Sequence, residues 1–231
     1  MNNKKRIVII GATSAIAEHC ARLWRQNQPI DLTLVGRDTQ RIEGVATDLK
    51  VRSPQSQIRV VQAEFLDPEV IDALVENIVQ SGNVDIVLIA HGSLPDQADW
   101  QDDLQACREA LDVNGVSQVL YAEALAKQIS KADHGTIALS GSVAGNRGRK
   151  SNYVYGAAKG LVTRYAQGLQ HRFAGTGVKV VLIKPDQTDT PMTAHLKGKG
   201  AKLASVESGA KQIVGAWNRA SRLSTRLGIG G

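Results

Sequence analysis

A tyrosine and a lysine four residues apart are the first side chains in this sequence whose spacing suggests chemistry. Tyr155 and Lys159 frame the run Tyr-Gly-Ala-Ala-Lys inside a stretch of helical pattern. Because positions i and i+4 lie on one face of a helix, the phenol and the ammonium are expected to be neighbours. A nearby ammonium favours the phenolate, so we expect the pKa of Tyr155 to fall below its reference value of about 10, towards a range useful for proton transfer.

Two further polar residues accompany this pair. Ser142 lies thirteen residues before Tyr155, just past a predicted strand, and Asn114 lies in a predicted helix within Asp-Val-Asn-Gly. Each residue alone can be explained structurally, as a turn residue or a helix kink, and Tyr153 offers a second phenol with no lysine four positions later. The combination is therefore more specific than any of its members.

A turn of small residues near the start of the sequence suggests a phosphate site. Gly11-Ala12-Thr13-Ser14-Ala15-Ile16-Ala17 directly follows a predicted strand and opens a helix that runs to about residue 27. Gly11 permits a tight turn, while Thr13, Ser14 and the free N–H groups at the helix start, around Ala15 and Ile16, can face a pyrophosphate. The alternative is a strand-to-helix turn with a structural role only.

The end of the second predicted strand, Val35-Gly36-Arg37-Asp38, bears on the kind of nucleotide. An acid at this point would bind the 2′-hydroxyl of NAD, whereas Gly36 leaves space and Arg37 supplies a positive charge for the 2′-phosphate of NADP. Asp38 is better explained as the N-cap of a helix predicted over residues 39–50. The sequence therefore favours NADP(H) over NAD(H).

Short β-branched runs alternate with helical patterns along the chain. The runs are almost continuously apolar, as in strands buried on both faces, and the segments between them are long enough for crossover helices. We therefore predict an α/β fold: a Rossmann-like, doubly wound parallel sheet with helices on both faces, in three α/β/α layers. The predicted strands span residues 7–10, 32–35, 58–61, 86–90, 136–139 and 178–183.

Helix signals complete the expected fold. Asp67-Pro68-Glu69 supplies an N-cap, a proline at the first helical position and an acid in the first turn. Two longer helices are predicted at roughly 101–130 and 151–174. Residues 186–204, with Pro191, two glycines and three lysines, predict a lid over ligands bound at the carboxyl ends of the strands. We expect one nucleotide-binding domain over residues 1–231.

Composition narrows the class of protein. The formal charge of +6 is explained by scattered solvated charge, and with 4% aromatic residues and no aromatic-interleaved basic stripe we expect no nucleic-acid partner. Cys20 and Cys107 lack the spacing of a metal site or a disulfide framework, so no metal is expected. The sequence shows no pattern of a signal peptide or membrane span, and we expect a cytoplasmic protein.

In motif order, spacing and context, residues 1 to about 195 resemble the short-chain dehydrogenase/reductase family. The resemblance implies an NADP(H)-dependent oxidoreductase that interconverts an alcohol with a ketone or aldehyde, acts on a small molecule and forms a homodimer or homotetramer. It implies that Ser142 hydrogen-bonds the substrate oxygen and that Tyr155 transfers its proton. Lys159 would hold the nicotinamide ribose and tune Tyr155, and Asn114 would anchor a relay water.

The resemblance also implies cofactor contacts outside the first turn. The segment that matches the family's adenine contact contains Glu64, Phe65 and Leu66. The turn after the fourth strand is matched by Ala90, His91 and Gly92. The segment that binds the nicotinamide amide is matched by Pro185 and Thr188.

The chain departs from the family pattern at several positions. Ala15 and Ala17 replace two glycines of the first turn, and a methyl group at Ala15 narrows the approach to a pyrophosphate. Asp186 stands where the family has a glycine, close to the expected nicotinamide site. After Trp217 the family adds a last strand, but no strand pattern is present here.

Three cations, Arg147, Arg149 and Lys150, lie between Ser142 and Tyr155 and would suit an anionic or polyhydroxylated substrate. Together with Ala-His-Gly at 90–92 and Ser-Asn-Tyr-Val-Tyr-Gly at 151–156, they are similar to the branch that includes decaprenylphosphoryl-keto-pentose reductases. This similarity would imply a keto-sugar or lipid-linked sugar. Solvated loop charges or a dimer contact are the alternative for the cations, and a non-catalytic dinucleotide sensor or scaffold is the alternative function.

Overall fold

Residues 4–185, 187–194 and 203–226 are described by a computed structural model of the chain. Within these ranges six strands form one sheet of order β3-β2-β1-β4-β5-β6, and every neighbouring pair is parallel. The predicted doubly wound, Rossmann-like α/β fold is therefore confirmed. The strands are β1 Lys5–Ile10, β2 Ile30–Gly36, β3 Gln57–Gln62, β4 Ile86–Ile89, β5 Gly135–Ser140 and β6 Val178–Ile183.

Helices connect the strands and cover both faces of the sheet. Within the described ranges, none of them has both the length and the apolar character needed to cross a membrane. The helices are α1 Ala15–Asn27, α2 Thr39–Arg52, α3 Pro68–Gln80, α4 Gln97–Gln101, α5 Leu104–Leu111, α6 Ser117–Ala132, α7 Tyr153–Arg172 and α8 Val206–Arg226.

Side chains alternate between the two faces of the sheet along each strand, and helices that pack on both faces complete the three layers. On β1, Ile7 and Ile9 pack into one core with α1, α2 and α8, whereas Val8 and Ile10 pack into a second core with α3, α6 and α7. All four side chains are buried, so the strand reads as continuously apolar although its side chains alternate between faces. Burying one such side chain contributes about 1.5–3 kcal/mol, which makes a one-residue register slip costly.

The prediction of one long helix at 101–130 is wrong in one respect, because the structure divides this segment. A turn of π-helix at Asp112–Val116 separates α5 from α6. At this turn the Asn114 side-chain amide donates to the Ala110 carbonyl at 2.9 Å. A single-turn π-bulge of this kind is frequent at functional sites.

The described ends of the predicted lid are tied to each other. Thr188 and Ala204 form an isolated parallel bridge, the Asp189 N–H donates to the Ala204 carbonyl at 2.8 Å, and the Ala204 N–H donates to the Gln187 carbonyl at 2.8 Å. Asp186 and residues 195–202, which include the rest of the predicted lid, lie outside the described residues. After Trp217, α8 continues to Arg226, so a strand is absent from this described segment, as the sequence indicated.

Aspartate caps fix the starts of two helices where the sequence predicted them. The Asp38 carboxylate accepts from the Arg41 N–H at 3.0 Å at the start of α2. The Asp67 carboxylate accepts from the N–H groups of Glu69 and Val70 at 2.9 and 3.2 Å at the start of α3. Each carboxylate satisfies N–H groups that have no acceptor inside their own helix.

Replacing Asp67 by alanine is expected to lower the free energy of unfolding by about 1 kcal/mol, because the cap bonds and the favourable charge at the helix N-terminus are lost together. Urea denaturation of the wild type and the variant measures this difference. Asp67→Ser keeps a capping oxygen and serves as the control. Equal destabilisation by alanine and serine would show that the cap contributes nothing.

Candidate active site

The carboxyl ends of the strands open on a cavity of about 600 Å³. Its walls come from the segments that follow β1, β2, β4, β5 and β6, together with Phe65 after β3 and the first turns of α1, α2 and α7. The strand order reverses between β1 and β4, and ligands of open α/β sheets bind at such switch points. The topology therefore places the cavity where a nucleotide is expected.

Most residues that the sequence singled out line this cavity, although they are far apart in the chain. Asn114, Glu64 and Leu66 are outside the lining. The predicted site residues in the wall are Gly11, Thr13, Ser14, Ala15, Ile16, Gly36, Arg37, Phe65, Ala90, His91, Gly92, Ser142, Tyr155, Lys159, Pro185 and Thr188.

Tyr155, Lys159 and Ser142 meet at one part of the wall. The Lys159 side chain is 3% exposed, its ammonium lies 5.7 Å from the centroid of the Tyr155 ring, and it donates to the Ser140 carbonyl at 2.9 Å. Tyr153, the competing phenol, is 46% exposed and does not line the cavity. Of the two phenols, Tyr155 is therefore the one that faces the cavity.

Close backbone packing brings the serine to the helix that carries the other two residues. Ser142 caps a short 3-10 turn, Val143–Asn146, and its hydroxyl accepts from the Ala144 N–H at 3.1 Å. A Cβ at Gly145 would lie 2.6 Å from the carbonyl carbon of Lys159, so a larger residue there would push the turn away from α7. Gly145 thereby keeps Ser142 near Tyr155.

Burial controls the protonation of this group. It lowers the pKa of Lys159 to about 7, because the buried ammonium loses its hydration. Burial also raises the pKa of Tyr155, and a hydrogen bond with Ser142 opposes that rise only in part. The predicted lowering of the Tyr155 pKa is therefore wrong. The physical reason is that Tyr155 is itself buried, and burial disfavours the charged phenolate, while the Lys159 ammonium is held by the Ser140 carbonyl.

Asn114 supports the site from behind the wall. Its side chain is fully buried, and its Oδ1 accepts from the Ser93 N–H at 2.9 Å. A Cβ at Gly92 would lie 2.7 Å from that oxygen and 3.9 Å from the Lys159 ammonium, so all three groups are close together. Asn114 thus joins the π-helical turn to the loop after β4, while its role in anchoring a relay water stays a prediction.

His91 is a buried neutral imidazole in the wall. It is 6% exposed, packs 4.5 Å from the Phe65 ring, and places Nε2 2.9 Å from the Ser117 hydroxyl. Burial first, and then the charges of Lys159 and Arg37, lower its pKa to about 3. Its Nδ1 is buried without a partner among the described residues, so we place the ring proton on Nε2, where it has an acceptor.

The approach of the first turn to His91 explains the glycine at position 11. Gly11 has a positive φ of 87°, and a Cβ there would lie 2.5 Å from the His91 backbone nitrogen. Only glycine fits both the conformation and the space. Next to it, Thr13 and Ser14 line the cavity, and no side-chain hydrogen bond engages either hydroxyl within the described part of the chain.

The wall after β2 carries two arginines, of which the sequence analysis named one. Arg37 lies 5.5 Å from the Phe65 ring, and Arg41 also lines the cavity from the first turn of α2. The carboxylate between them, Asp38, accepts from the Arg41 N–H and so acts as the predicted cap. The sequence signal for Arg41 is its position three residues after the Asp38 cap, which places it about one helical turn from Arg37.

Glu64 and Leu66 lie beside the cavity rather than in its wall. The Glu64 carboxylate accepts from the N–H groups of Phe65 and Leu66 at 2.8 and 3.3 Å, and the Glu64 carbonyl accepts from the Tyr121 hydroxyl at 2.6 Å. These bonds hold Phe65 in place against His91 and Arg37. The adenine contact predicted for this segment is therefore supported by position for Phe65 alone.

A glutamine missed by the sequence analysis holds the start of α7. The Gln97 side-chain oxygen accepts from the Val154 N–H at 3.1 Å, and Gln97 is buried beside Trp100 on α4. This bond ties the loop after β4 to the helix that carries Tyr155. Nothing in the local sequence pairs two residues so far apart.

Comparisons with known proteins agree with this geometry. A family model described as short chain dehydrogenase matches residues 5–200. An uncharacterized oxidoreductase of Staphylococcus epidermidis is 31% identical over 191 residues, which cover 82% of this chain and 80% of that protein.

Solved structures share the fold at lower identity. A short-chain dehydrogenase from Sphingobium yanoikuyae in complex with NADPH has a TM-score of 0.79 and 22% identity, covering 93% of this chain and 85% of that chain. A variant of the actinorhodin polyketide ketoreductase with NADPH has a TM-score of 0.81 and 18% identity, covering 91% and 89%.

The sheet and its cavity define a nucleotide-binding α/β protein with a proton-transfer group at the switch point of the sheet. The chain belongs to the short-chain dehydrogenase/reductase family. It is a dehydrogenase or reductase that acts on alcohol and carbonyl groups with NAD(P), the cofactor that this family uses.

His91→Gln is expected to reduce the loss of stability in acid. The folded-state pKa of about 3 is below the usual value of about 6.5, so stability from the neutral ring is present above pH 6.5 and is lost as pH falls towards 3. Urea denaturation at about pH 7 and pH 5 measures the free energy of unfolding. Between these two pH values it should fall by about 2 kcal/mol more in the wild type than in the variant. Parallel losses would mean that His91 titrates normally in the folded chain.

Proposed function

We propose that the chain is an NADP(H)-dependent reductase that converts a ketone or aldehyde to an alcohol. The observation that carries the cofactor preference is the pair of arginines, Arg37 and Arg41, in the wall after β2, where the adenosine ribose of a dinucleotide lies in this fold. The one acid between them, Asp38, is occupied as a helix cap. A 2′-phosphate would meet two guanidinium groups, whereas a ribose 2′-hydroxyl would meet no free carboxylate.

The rest of the wall suits the remainder of the dinucleotide. The N-terminus of α1, with Thr13 and Ser14, offers backbone N–H groups and hydroxyls for the pyrophosphate. Gly11 keeps this turn free of a side chain, and Gly36 leaves room beside Arg37. We assign the nicotinamide end to Lys159, Pro185 and Thr188 at the far side of the switch point.

In this proposal the protein handles the proton. When bound, the nicotinamide cofactor would supply the hydride for the carbonyl carbon. Tyr155 donates its phenolic proton to the carbonyl oxygen, so that one hydride and one proton together convert the carbonyl to a carbinol. Ser142 donates a hydrogen bond to the same oxygen, and the protonated form of Lys159, which lies beside Ser140 and Asn114, returns a proton to Tyr155. The raised pKa of Tyr155 keeps the phenol protonated, which is the form that this proton transfer needs.

The nature of the substrate and assembly belongs to the same proposal. The substrate is a small carbonyl compound, and a keto-sugar or lipid-linked sugar is compatible with the polar wall around Ser93 and Asn152. We propose a single nucleotide-binding domain that acts as a cytoplasmic homodimer or homotetramer through the outer faces of α6 and α7. Among the described residues we find no observation that favours the alternative, a non-catalytic sensor.

Arg37→Ala and Arg41→Ala are each expected to weaken NADPH binding about 10-fold or more, because each removes a charge-assisted contact with the 2′-phosphate. NADH binding should change less than 2-fold, since it has no such phosphate. Nicotinamide fluorescence titration measures both affinities. Lys50→Ala on α2, outside the cavity, is the matched control. Equal losses for NADPH and NADH would contradict the assignment of the 2′-phosphate site.

Tyr155→Phe is expected to lower kcat by about 100-fold or more, because it removes the proton donor. The dissociation constant for NADPH should stay within about 2-fold, since the ring remains in the wall. NADPH consumption, measured on the best substrate from a panel of ketones, keto acids and keto-sugars, tests the first point. Tyr153→Phe is the control. Full activity in Tyr155→Phe would show that another residue donates the proton.

A further inference from the structure

The arginines in the cavity wall stand at opposite ends. Arg37 and Arg41 follow β2, whereas Arg149 lies in the segment between β5 and α7. In the sheet, β2 and β5 are on opposite sides of the β1–β4 switch point. With the adenosine end of the dinucleotide at Arg37, Arg149 is therefore at the end beyond Ser142 and Tyr155, where the substrate must enter.

Arg149 presents a charge that no residue in the described ranges neutralises. Its side chain makes no hydrogen bond or ion pair with any residue in the described ranges. Asp38 is the one acid in the described wall, and it is a helix cap at the other end. The guanidinium thus faces the cavity with its donors available.

Asn152 adds a second available side chain beside Arg149. Asn152 lines the cavity at the N-cap position of α7, yet its side chain does not cap the helix. The Val154 N–H is taken by Gln97 instead, and the Asn152 side-chain amide has no hydrogen-bond partner among the described residues. The Asn152 N–H donates to the Arg149 carbonyl at 3.1 Å, so one tight turn holds both residues.

The structure also separates Arg149 from its two cationic neighbours. All three side chains are exposed, but Arg147 and Lys150 do not line the cavity, whereas Arg149 does. The sequence alone offered all three cations as equivalent. The wall selects one of them, and the other two become internal controls for the effect of general positive charge.

We propose that Arg149 and Asn152 form an anion-binding subsite and that the substrate is a carbonyl compound carrying a carboxylate or phosphate group. The proposal rests on the reductase function above. The planar guanidinium binds two oxygens of such a group at once, and the Asn152 amide donates a further hydrogen bond. Leu94, Pro95 and Met192 in the same wall contact the carbon skeleton between the carbonyl and the anion.

The test compares carbonyl compounds that differ only in the anionic group. Levulinate is paired with its methyl ester, and dihydroxyacetone phosphate with dihydroxyacetone, so the two pairs distinguish a carboxylate from a phosphate. We expect kcat/KM for the anion to exceed that for its neutral partner by about 10-fold or more in at least one pair, chiefly through KM. Equal kcat/KM values for the anion and its neutral partner in both pairs would overturn the proposal.

Three variants then locate the effect. Arg149→Ala should abolish the preference for the anion and leave the neutral partner within about 2-fold, because its backbone carbonyl still binds Asn152. Arg147→Ala and Lys150→Ala should keep the preference. If all three variants reduce it alike, the cause is diffuse positive charge, and the subsite is overturned.

A binding measurement separates this proposal from the proposed function. Calorimetry of each anion with the wild type and with Arg149→Ala, in the presence and absence of NADP+, does not require turnover. Anion binding that depends on Arg149 supports the subsite even if NADPH fails to bind and the reductase function falls. NADPH binding with no Arg149-dependent anion binding leaves the reductase standing and overturns the subsite.

Discussion

Direct contact between the turn after β5 and the backbone of α7 is the constraint on which the rest of the site depends. Gly145 has no side chain to separate the turn from Lys159, so Ser142, Tyr155 and Lys159 share one wall. The same contact buries the Lys159 ammonium against the Ser140 carbonyl. A side chain at Gly145 would therefore disturb the geometry and the electrostatics of the site together.

That burial determines the protonation states in the wall. Lys159 and His91 both lose hydration, and the pKa of each is lowered, so the site holds less positive charge than its sequence suggests. Tyr155 loses hydration too, and its pKa rises. Burial in a poorly hydrated wall is the largest cause of all three shifts, and it leaves a protonated phenol beside a lysine whose pKa of about 7 lets it lose and regain a proton near neutral pH.

Charge is distributed along the cavity so that its two ends differ from its centre. Arginines stand at the outer ends, on the nucleotide side and on the substrate side, and the centre holds the neutral or weakly charged groups that move a proton. Arginine retains its charge at any working pH, which suits binding, whereas Tyr155 and Lys159 can change theirs, which suits catalysis. Binding and proton transfer are thus assigned to different residue types.

The sequence by itself determined the features that local periodicity and local hydrogen bonding encode. Apolar runs indicated the six strands and their parallel direction, Asp38 and Asp67 indicated helix starts, and the four-residue spacing put Tyr155 and Lys159 on one helix face. Only the tertiary structure decided what depends on burial and on contacts between distant segments. The π-helical turn at Asn114, the direction of the Tyr155 pKa shift, the place of Arg41 and the choice of Arg149 among three cations belong to this second group. Desolvation and distant contacts arise only when the strands assemble into a sheet, so no local pattern of residues can carry them.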